Sequence, residues 1–162
     1  ISIFSFYPNK HITTGEGGMI VCNDDDIAEK CKKLRNLAFE PKGRRFIHHE
    51  IGWNYRMTNL QAALGVAQLE KINFHIQRKK EIGRQYSENL KDLKGFQLPQ
   101  EKTEYAENIY WVYGLVAESE SQLEIMIKKL SEAKIGTRPF FWCMHEQPVF
   151  KKMGLFKHTI KK

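Results

Sequence analysis

Cysteine is scarce in this chain, and the spacing of the few present excludes two classes of protein. The three cysteines, Cys22, Cys31 and Cys143, are odd in number and include no CxxC pair. Disulfide scaffolds and cysteine-based zinc sites depend on paired, regularly spaced residues. The sequence therefore predicts free thiols in a reducing cytoplasmic compartment, and no metal site.

Long apolar runs are also missing. No stretch approaches the ~20 consecutive apolar residues of a membrane-spanning helix, and no secretory signal is present. Hydrophobic residues nevertheless make up 41% of the 162 residues, and aromatic residues 12%. That fraction is enough to form a core, so we expect a folded protein without a membrane partner.

The chain lacks any long block of like charge, although its formal net charge is +7. Its basic residues form scattered pairs mixed with glutamate, which is typical of solvated helix faces. The alternative is a non-catalytic basic module that binds nucleic acid or a phosphorylated partner, and it would need a contiguous basic face with exposed aromatics. A net positive charge would also favour the binding of a small substrate with two negative charges.

Alternating and helical patterns predict an α/β protein. Residues 1–6 and 17–22 are expected to be strands, residues 25–36 an amphipathic helix, and residues 37–51 a long surface loop. Thr58, with Gln61 three residues later, predicts a capping box that opens one long helix or two in tandem. The remaining pattern predicts a strand at 110–116, a helix at 121–133 and a short strand at 135–138.

The most informative run is SFYPNKHITTGEGG at residues 5–18. It places Lys10 midway between the hydroxyl of Ser5 and the turn at Gly15, with apolar, strand-forming residues on both sides. A lysine amine in such a position can act first as a nucleophile and then as a base. A nearby serine hydroxyl can hold a phosphate oxygen. Pyridoxal phosphate needs one covalent and one ionic attachment of this kind.

This run resembles the Schiff-base lysine motif of the nucleotide-sugar aminotransferases, the DegT/StrS family of fold-type I pyridoxal-phosphate enzymes. Two further runs support the resemblance in the family's order: GWNYRMTNLQAALG at 52–65 and RPFFWCMHEQP at 138–148. The resemblance implies three parts. Residues 1–57 would end the cofactor-binding large domain with its mixed β-sheet, 58–94 would be a long connecting helix, and 95–162 a small C-terminal α+β domain.

The first residue is Ile, within a predicted strand, and the family carries most of its large domain before the lysine. We therefore expect the N-terminal half of the enzyme to lie outside this chain. That half would supply the partners of the pyridine ring, so the chain alone is expected to be inactive.

The resemblance also implies roles for five residues. Lys10 would carry the cofactor, Ser5 would hold its phosphate, and Asn54 would reach the cofactor phosphate of a neighbouring subunit, so that a homodimer shares each site. Arg56 and His145 would contact the substrate. The simpler interpretations remain open: a strand serine, a helix-capping turn before the 58–94 helix, and a histidine in a surface loop.

Some relatives that remove a hydroxyl carry histidine in place of the lysine, and His11 follows Lys10 here. The spacing to Ser5 and Gly15 matches Lys10 to the family lysine, which predicts an aminotransferase. The resemblance implies transfer of an amino group from an amino acid, expected to be glutamate, to a nucleoside-diphosphate-linked 4-keto-6-deoxy sugar. Within the family, the motifs resemble enzymes that make 4-amino-4,6-dideoxy sugars such as perosamine, for surface polysaccharide or O-antigen.

Overall fold

A computed structural model describes residues 1–40 and 42–156. The chain divides into two compact units. The first comprises Ile1–Asn89 with Gln100–Tyr113, and the second Leu90–Pro99 with Gly114–Lys162. Most of the segment predicted as a connecting helix thus belongs to the first unit. The predicted division at residues 57 and 94 stays a prediction.

The first unit begins with an antiparallel hairpin of β1 (Ser2–Ser5) and β2 (Gly18–Val21). Its register pairs Ser2 with Val21 and Ser5 with Gly18. The two predicted strands are therefore confirmed. Every residue of both strands is exposed, so the described part of the chain covers neither face of the hairpin.

Helix α1 (Asp25–Arg35) begins where Asp24 accepts a hydrogen bond of 2.9 Å from the Ile27 amide. The first turn is acidic and the last turn is basic, which complements the helix dipole. After α1 the chain turns back, and Asn36 forms an isolated antiparallel bridge with Asn54. The predicted helix is confirmed.

Two tandem helices follow, α2 (Asn59–Leu69) and α3 (Ile72–Leu90). The predicted capping box is present, because Thr58 and Gln61 each bond the other's backbone. Gly83 of α3 is buried because the ring of Tyr110 lies against it.

The second unit pairs β3 (Phe96–Gln97) with β4 (Val116–Ala117) in an antiparallel ladder. Ser119 then caps helix α4 (Glu120–Glu132), which confirms the predicted helix. A 3₁₀ turn at Met144–Glu146 leads into the short helix α5 (Pro148–Lys152).

Two predicted strands are wrong. Residues 135–138 have no regular structure, and of 110–116 only Val116 lies in a strand. Tyr110 has a φ of 49° and its amide bonds the side chain of Asn108 at 2.8 Å, so the backbone turns where an extended strand was expected.

Little of the described chain is buried. The surface area is 14,244 Å², whereas a folded monomer of 19.0 kDa is expected to expose roughly 8,400 Å². Ala38 and Tyr110 are the buried hydrophobic residues of the described part. Most apolar side chains, those of the hairpin included, therefore face outward. Among the described residues, no helix combines the length and apolarity needed to cross a membrane.

Candidate active site

Lys10 lies on the loop that joins β1 to β2. The loop folds back onto the carbonyl of Phe6, which accepts hydrogen bonds from the Thr14 amide at 3.1 Å and the Thr13 hydroxyl at 2.7 Å. A tight turn forms where the Lys10 amide donates to the Tyr7 carbonyl at 3.0 Å. The backbone that carries the lysine is therefore fixed by the end of the hairpin.

Helix α2 holds the far side of the same loop through two glutamines. Gln68 Oε1 accepts from the Thr13 amide at 2.7 Å, and Gln61 Nε2 donates to the Glu16 carbonyl at 3.0 Å. The run that resembles the family's second motif therefore supports the loop that contains the first.

The glycine turn packs tightly on Thr14, which is only 5% exposed. A Cβ on Gly17 would lie 2.5 Å from Thr14 Oγ1 and 3.0 Å from the terminal methyl of Met57. At Gly17 the glycine is therefore required by close packing. A phosphate-binding loop is not needed to explain it.

The side chain of Lys10 is half-buried, and its Nζ lies 3.6 Å from the ring centroid of Trp111. The Trp111 Nε1 donates to the carbonyl of Asn9 at 3.1 Å, and the His11 ring bonds the Ile109 carbonyl at 3.0 Å. The sequence reasoning missed Trp111. It lies 102 residues from Asn9, and no local pattern indicates a contact over that separation.

Ser5 ends β1, at the same end of the hairpin as the lysine loop. Its Oγ accepts a long hydrogen bond of 3.4 Å from the Tyr7 amide, and the side chain is exposed. The hydroxyl can therefore still donate to a ligand oxygen. An amine and a hydroxyl at one hairpin end match the aldehyde and phosphate of pyridoxal phosphate, so these residues fit that cofactor.

Asn54 and Arg56 contact each other, with Arg56 Nε donating to Asn54 Oδ1 at 3.2 Å. The segment is extended, and the rings of Trp53 and Tyr55 stack with centroids 6.0 Å apart. Within the described residues, no hydrogen bond joins either predicted site residue to Lys10.

Arg56 also lines an open cavity of about 300 Å³ along α1. Basic side chains of α1 border the same cavity: Lys32, Lys33 and Arg35. Glu29 lines the cavity too and pairs with Lys32, and Lys33 pairs with Glu40 and Glu50, so part of this positive charge is already compensated. The cavity includes neither Lys10 nor Ser5. The structure thus forms two pairs of predicted site residues, one at the hairpin end and one beside α1.

A three-membered ion pair ties the irregular segment after α1 to the helix. Lys33 Nζ lies 2.5 Å from a carboxylate oxygen of both Glu40 and Glu50. The hydrogen bonds to Glu40 and Glu50 hold the pKa of Lys33 above its usual value. The hydrogen bond to Lys33 in turn lowers the pKa of Glu50.

His145 belongs to the second unit, within the 3₁₀ turn at Met144–Glu146. It is half-buried, and its Nε2 lies 3.9 Å from a carboxylate oxygen of Glu146. Its contact with substrate stays a prediction.

Comparison with known proteins decides the family. The model of the DegT/DnrJ/EryC1/StrS aminotransferase family matches residues 1–160. The chain belongs to this family. Family membership favours an enzyme over the basic binding module considered as the alternative.

Several curated relatives are GDP-perosamine synthases. That of Escherichia coli O157:H7 is 38% identical over 156 residues, covering 94% of this chain and 41% of the relative. That of Caulobacter vibrioides is 39% identical over 153 residues, covering 93% and 41%. The chain therefore spans less than half the length of the relatives it matches. The predicted family, and the resemblance to perosamine-forming enzymes, are confirmed.

Solved structures of sugar aminotransferases share the fold. The chain matches the Helicobacter pylori aminotransferase PseC, which is involved in the biosynthesis of pseudoaminic acid, with a TM-score of 0.84 and 27% identity. The match covers 99% of this chain and 43% of PseC. The predicted fold class, the end of a fold-type I transferase with its small α+β domain, is confirmed. Pyridoxal phosphate is the cofactor of the family, as predicted.

Proposed function

We propose that the intact protein is an aminotransferase that moves an amino group from glutamate to a nucleoside-diphosphate-linked 4-keto-6-deoxy sugar. The observation that carries the proposal is the half-buried amine of Lys10, held at the same hairpin end as the Ser5 hydroxyl. Similarity to the GDP-perosamine synthases supports the sugar class.

Lys10 and Ser5 would attach the cofactor. Pyridoxal phosphate, when bound, supplies an aldehyde that condenses with amines and an electron sink for the carbon next to nitrogen. The Ser5 hydroxyl would donate to a phosphate oxygen. Lys10, released as a neutral amine, would move a proton between the substrate carbon and the cofactor, since a lysine amine is both nucleophile and base.

Arg56 and Asn54 would bind anionic groups beside the start of α2. The cavity along α1 has Arg35 and Arg56 in its lining besides the carboxylate-paired Lys32 and Lys33, and a guanidinium suits the diphosphate of a sugar nucleotide. In a homodimer, Asn54 would serve the cofactor phosphate of the neighbouring subunit, and His145 would approach the substrate. The reaction would take place in the cytoplasm, with neither nucleic acid nor membrane as partner.

The first test concerns Lys10. Full-length protein with pyridoxal phosphate should absorb near ~420 nm, and borohydride should remove the band while fixing the cofactor to Lys10. Lys10→Ala should lose the band and the fixed cofactor, whereas the control Lys94→Ala should keep both. Mass spectrometry of the digest locates the modified peptide. Cofactor fixed in Lys10→Ala at the wild-type level would contradict the assignment.

The second test concerns the substrate. Full-length protein would be incubated with glutamate and a panel of keto-sugar nucleotides, and the products identified by mass spectrometry. The proposal expects a product aminated at a 4-keto-6-deoxy sugar. Amination of 3-keto sugars alone would overturn the proposed substrate class and leave the cofactor assignment intact.

A further inference from the structure

The turn at residues 108–111 is held in an unfavourable backbone conformation. Tyr110 has a φ of 49°, in the left-handed region that a tyrosine rarely adopts. Asn108 stabilises the turn from both sides, because its Oδ1 accepts from the Tyr110 amide at 2.8 Å and its Nδ2 donates to the Gln100 carbonyl at 3.0 Å.

Packing of the Tyr110 ring fixes the same turn. The residue is 4% exposed, and its ring lies so close to Gly83 that a Cβ there would come within 2.4 Å of two ring atoms. The ring also stacks with Tyr113, with centroids 6.0 Å apart and planes inclined by 15°. A strained residue persists when its surroundings determine its position in this way.

The strained turn directs its neighbours onto the lysine loop. The Ile109 carbonyl bonds the His11 ring, and the Trp111 Nε1 bonds the Asn9 carbonyl. These two contacts lie on either side of Lys10, whose Nζ is 3.6 Å from the Trp111 ring centroid. The residues before and after the lysine and its amine are therefore all contacted by one four-residue turn.

A cation over the face of an aromatic ring is attracted by the ring's quadrupole, and the indole of tryptophan is the most effective. The backbone of Trp111 is held as well, because Lys79 Nζ of α3 donates to the Trp111 carbonyl at 3.4 Å. The ring is thus a fixed surface for the Lys10 amine.

We propose that Trp111 is a positioning residue for Lys10. Its ring holds the Lys10 amine at the hairpin end while the amine is protonated and not bonded to cofactor. The proposal rests on the function assigned to Lys10 above, and it goes beyond that function by assigning a role to a residue 101 positions away.

The test measures the reactivity of the Lys10 amine in full-length protein freed of cofactor. Trace reductive methylation, followed by digestion and mass spectrometry, gives the labelling of Lys10 relative to that of Lys128 in the second unit. Trp111→Leu should raise this ratio about two- to five-fold, the factor that a cation–π attraction of ~0.5–1 kcal/mol represents. Trp111→Phe, which keeps a ring face but not the Nε1 donor, should stay near wild type.

Asn108 gives a second pair of variants that leaves the indole in place. Asn108→Ala removes the acceptor that stabilises the strained turn, so the Lys10 ratio should rise in the same direction as in Trp111→Leu. Asn108→Asp keeps the acceptor for the Tyr110 amide but loses the donor to the Gln100 carbonyl, so its ratio should lie between those of wild type and Asn108→Ala. Unchanged Lys128 labelling and an unchanged circular dichroism spectrum identify the variants that remain folded.

Two results would overturn the proposal. Equal labelling of Lys10 in folded wild type and Asn108→Ala, or in wild type and Trp111→Leu, would show that the turn does not hold the amine. A Trp111→Phe ratio as high as that of Trp111→Leu would assign the effect to the Asn9 hydrogen bond instead of the ring. Borohydride fixation at Lys10 is measured separately, so failure of the cofactor assignment is distinguished from failure of this proposal.

Discussion

Gly83 lies within α3 at the point where the Tyr110 ring contacts the helix, and it allows that contact only because it has no side chain. A methyl group there would come within 2.4–2.6 Å of three ring atoms. Such overpacking costs about 1–3 kcal/mol, and the better helix propensity of alanine offsets about 1 kcal/mol of it.

Gly83→Ala is therefore expected to lower the free energy of unfolding of the full-length protein by about 1–2 kcal/mol, the upper half of the net range, since the ring is buried and cannot easily move. Urea unfolding followed by circular dichroism measures the change. Gly136→Ala is the matched control, because a Cβ there meets nothing within 4 Å. A Gly83→Ala protein as stable as the control would show that the ring can shift.

At this scale, sequence reasoning identified the lysine loop and not the residues that hold it. Lys10, Ser5 and Gly17 lie within one short segment, so their relationship is visible in the order of residues. Trp111 comes to Lys10 only through a left-handed turn at Tyr110, and a tyrosine at φ 49° has no sequence signal. The roles of Lys10, Ser5, Asn54, Arg56 and His145 stay predictions.

Among the elements, α2 depends on its N-terminal cap, because its own buried surface is small. Thr58 Oγ1 accepts from the Gln61 amide at 3.2 Å, and Gln61 Oε1 accepts from the Thr58 amide at 2.9 Å. The same glutamine also bonds the Glu16 carbonyl, so the cap links the helix to the lysine loop.

Thr58→Ala is expected to destabilise the full-length protein by about 1 kcal/mol, the usual cost of losing a capping hydroxyl. Thr58→Ser, which keeps the hydroxyl, should remain close to wild type. Urea midpoints of the three proteins measure the difference. Equal midpoints for the alanine and serine variants would mean that Gln61 alone is sufficient for the start of α2.

The segment after α1 is expected to respond to acid. Lys33 lowers the pKa of Glu50 below its usual value of 4.5, so the pair stabilises the folded state above that pH and the stabilisation is lost as pH falls through the lowered pKa. Glu50→Gln should therefore have a lower Tm than wild type at pH 7, and the gap should narrow and close as the pH falls through the lowered pKa of Glu50. Glu124→Gln, on the exposed side of α4, is the control. A gap that persists in acid would exclude the ion pair as its cause.

Element types were predicted well where a cap or a periodic apolar pattern marks them, as the acidic cap at Asp24 does for α1 and the helical apolar spacing does for α4. The strand expected at 110–116 failed because aromatic, β-prone residues there pack as a stack of tyrosines. Tyr86 and Tyr113, for example, have ring centroids 5.0 Å apart. Packing of the rings against α3 therefore determined the backbone conformation of this segment, and it outweighed the β-strand propensity of the residues.

At the scale of the whole molecule, the dominant feature is the large number of apolar side chains that are exposed in the described part of the chain. Ile1 and Ile3 of the hairpin region are 80% and 81% exposed. Contiguous exposed apolar surface of this kind marks an interface or a tendency to associate.

Residues 1–162 expressed alone are therefore expected to associate and to bind a dye for apolar surfaces such as anilinonaphthalene sulfonate, and to show no aminotransfer. The full-length protein should bind far less dye per mole. Light scattering, dye fluorescence and the glutamate assay measure the three properties. A monomeric, dye-free fragment would show that the chain can cover its own apolar side chains, and turnover by it would contradict the predicted inactivity.

The hydrogen bond from Trp111 to Asn9 has a consequence for the order in which contacts form during synthesis of the protein. It joins positions 102 residues apart, and synthesis at about 5–20 residues per second separates their emergence by roughly 5–20 seconds. During that interval the lysine loop has been synthesised, but Trp111, whose indole bonds it, has not. The lysine loop is therefore complete well before the residue that bonds it has been made.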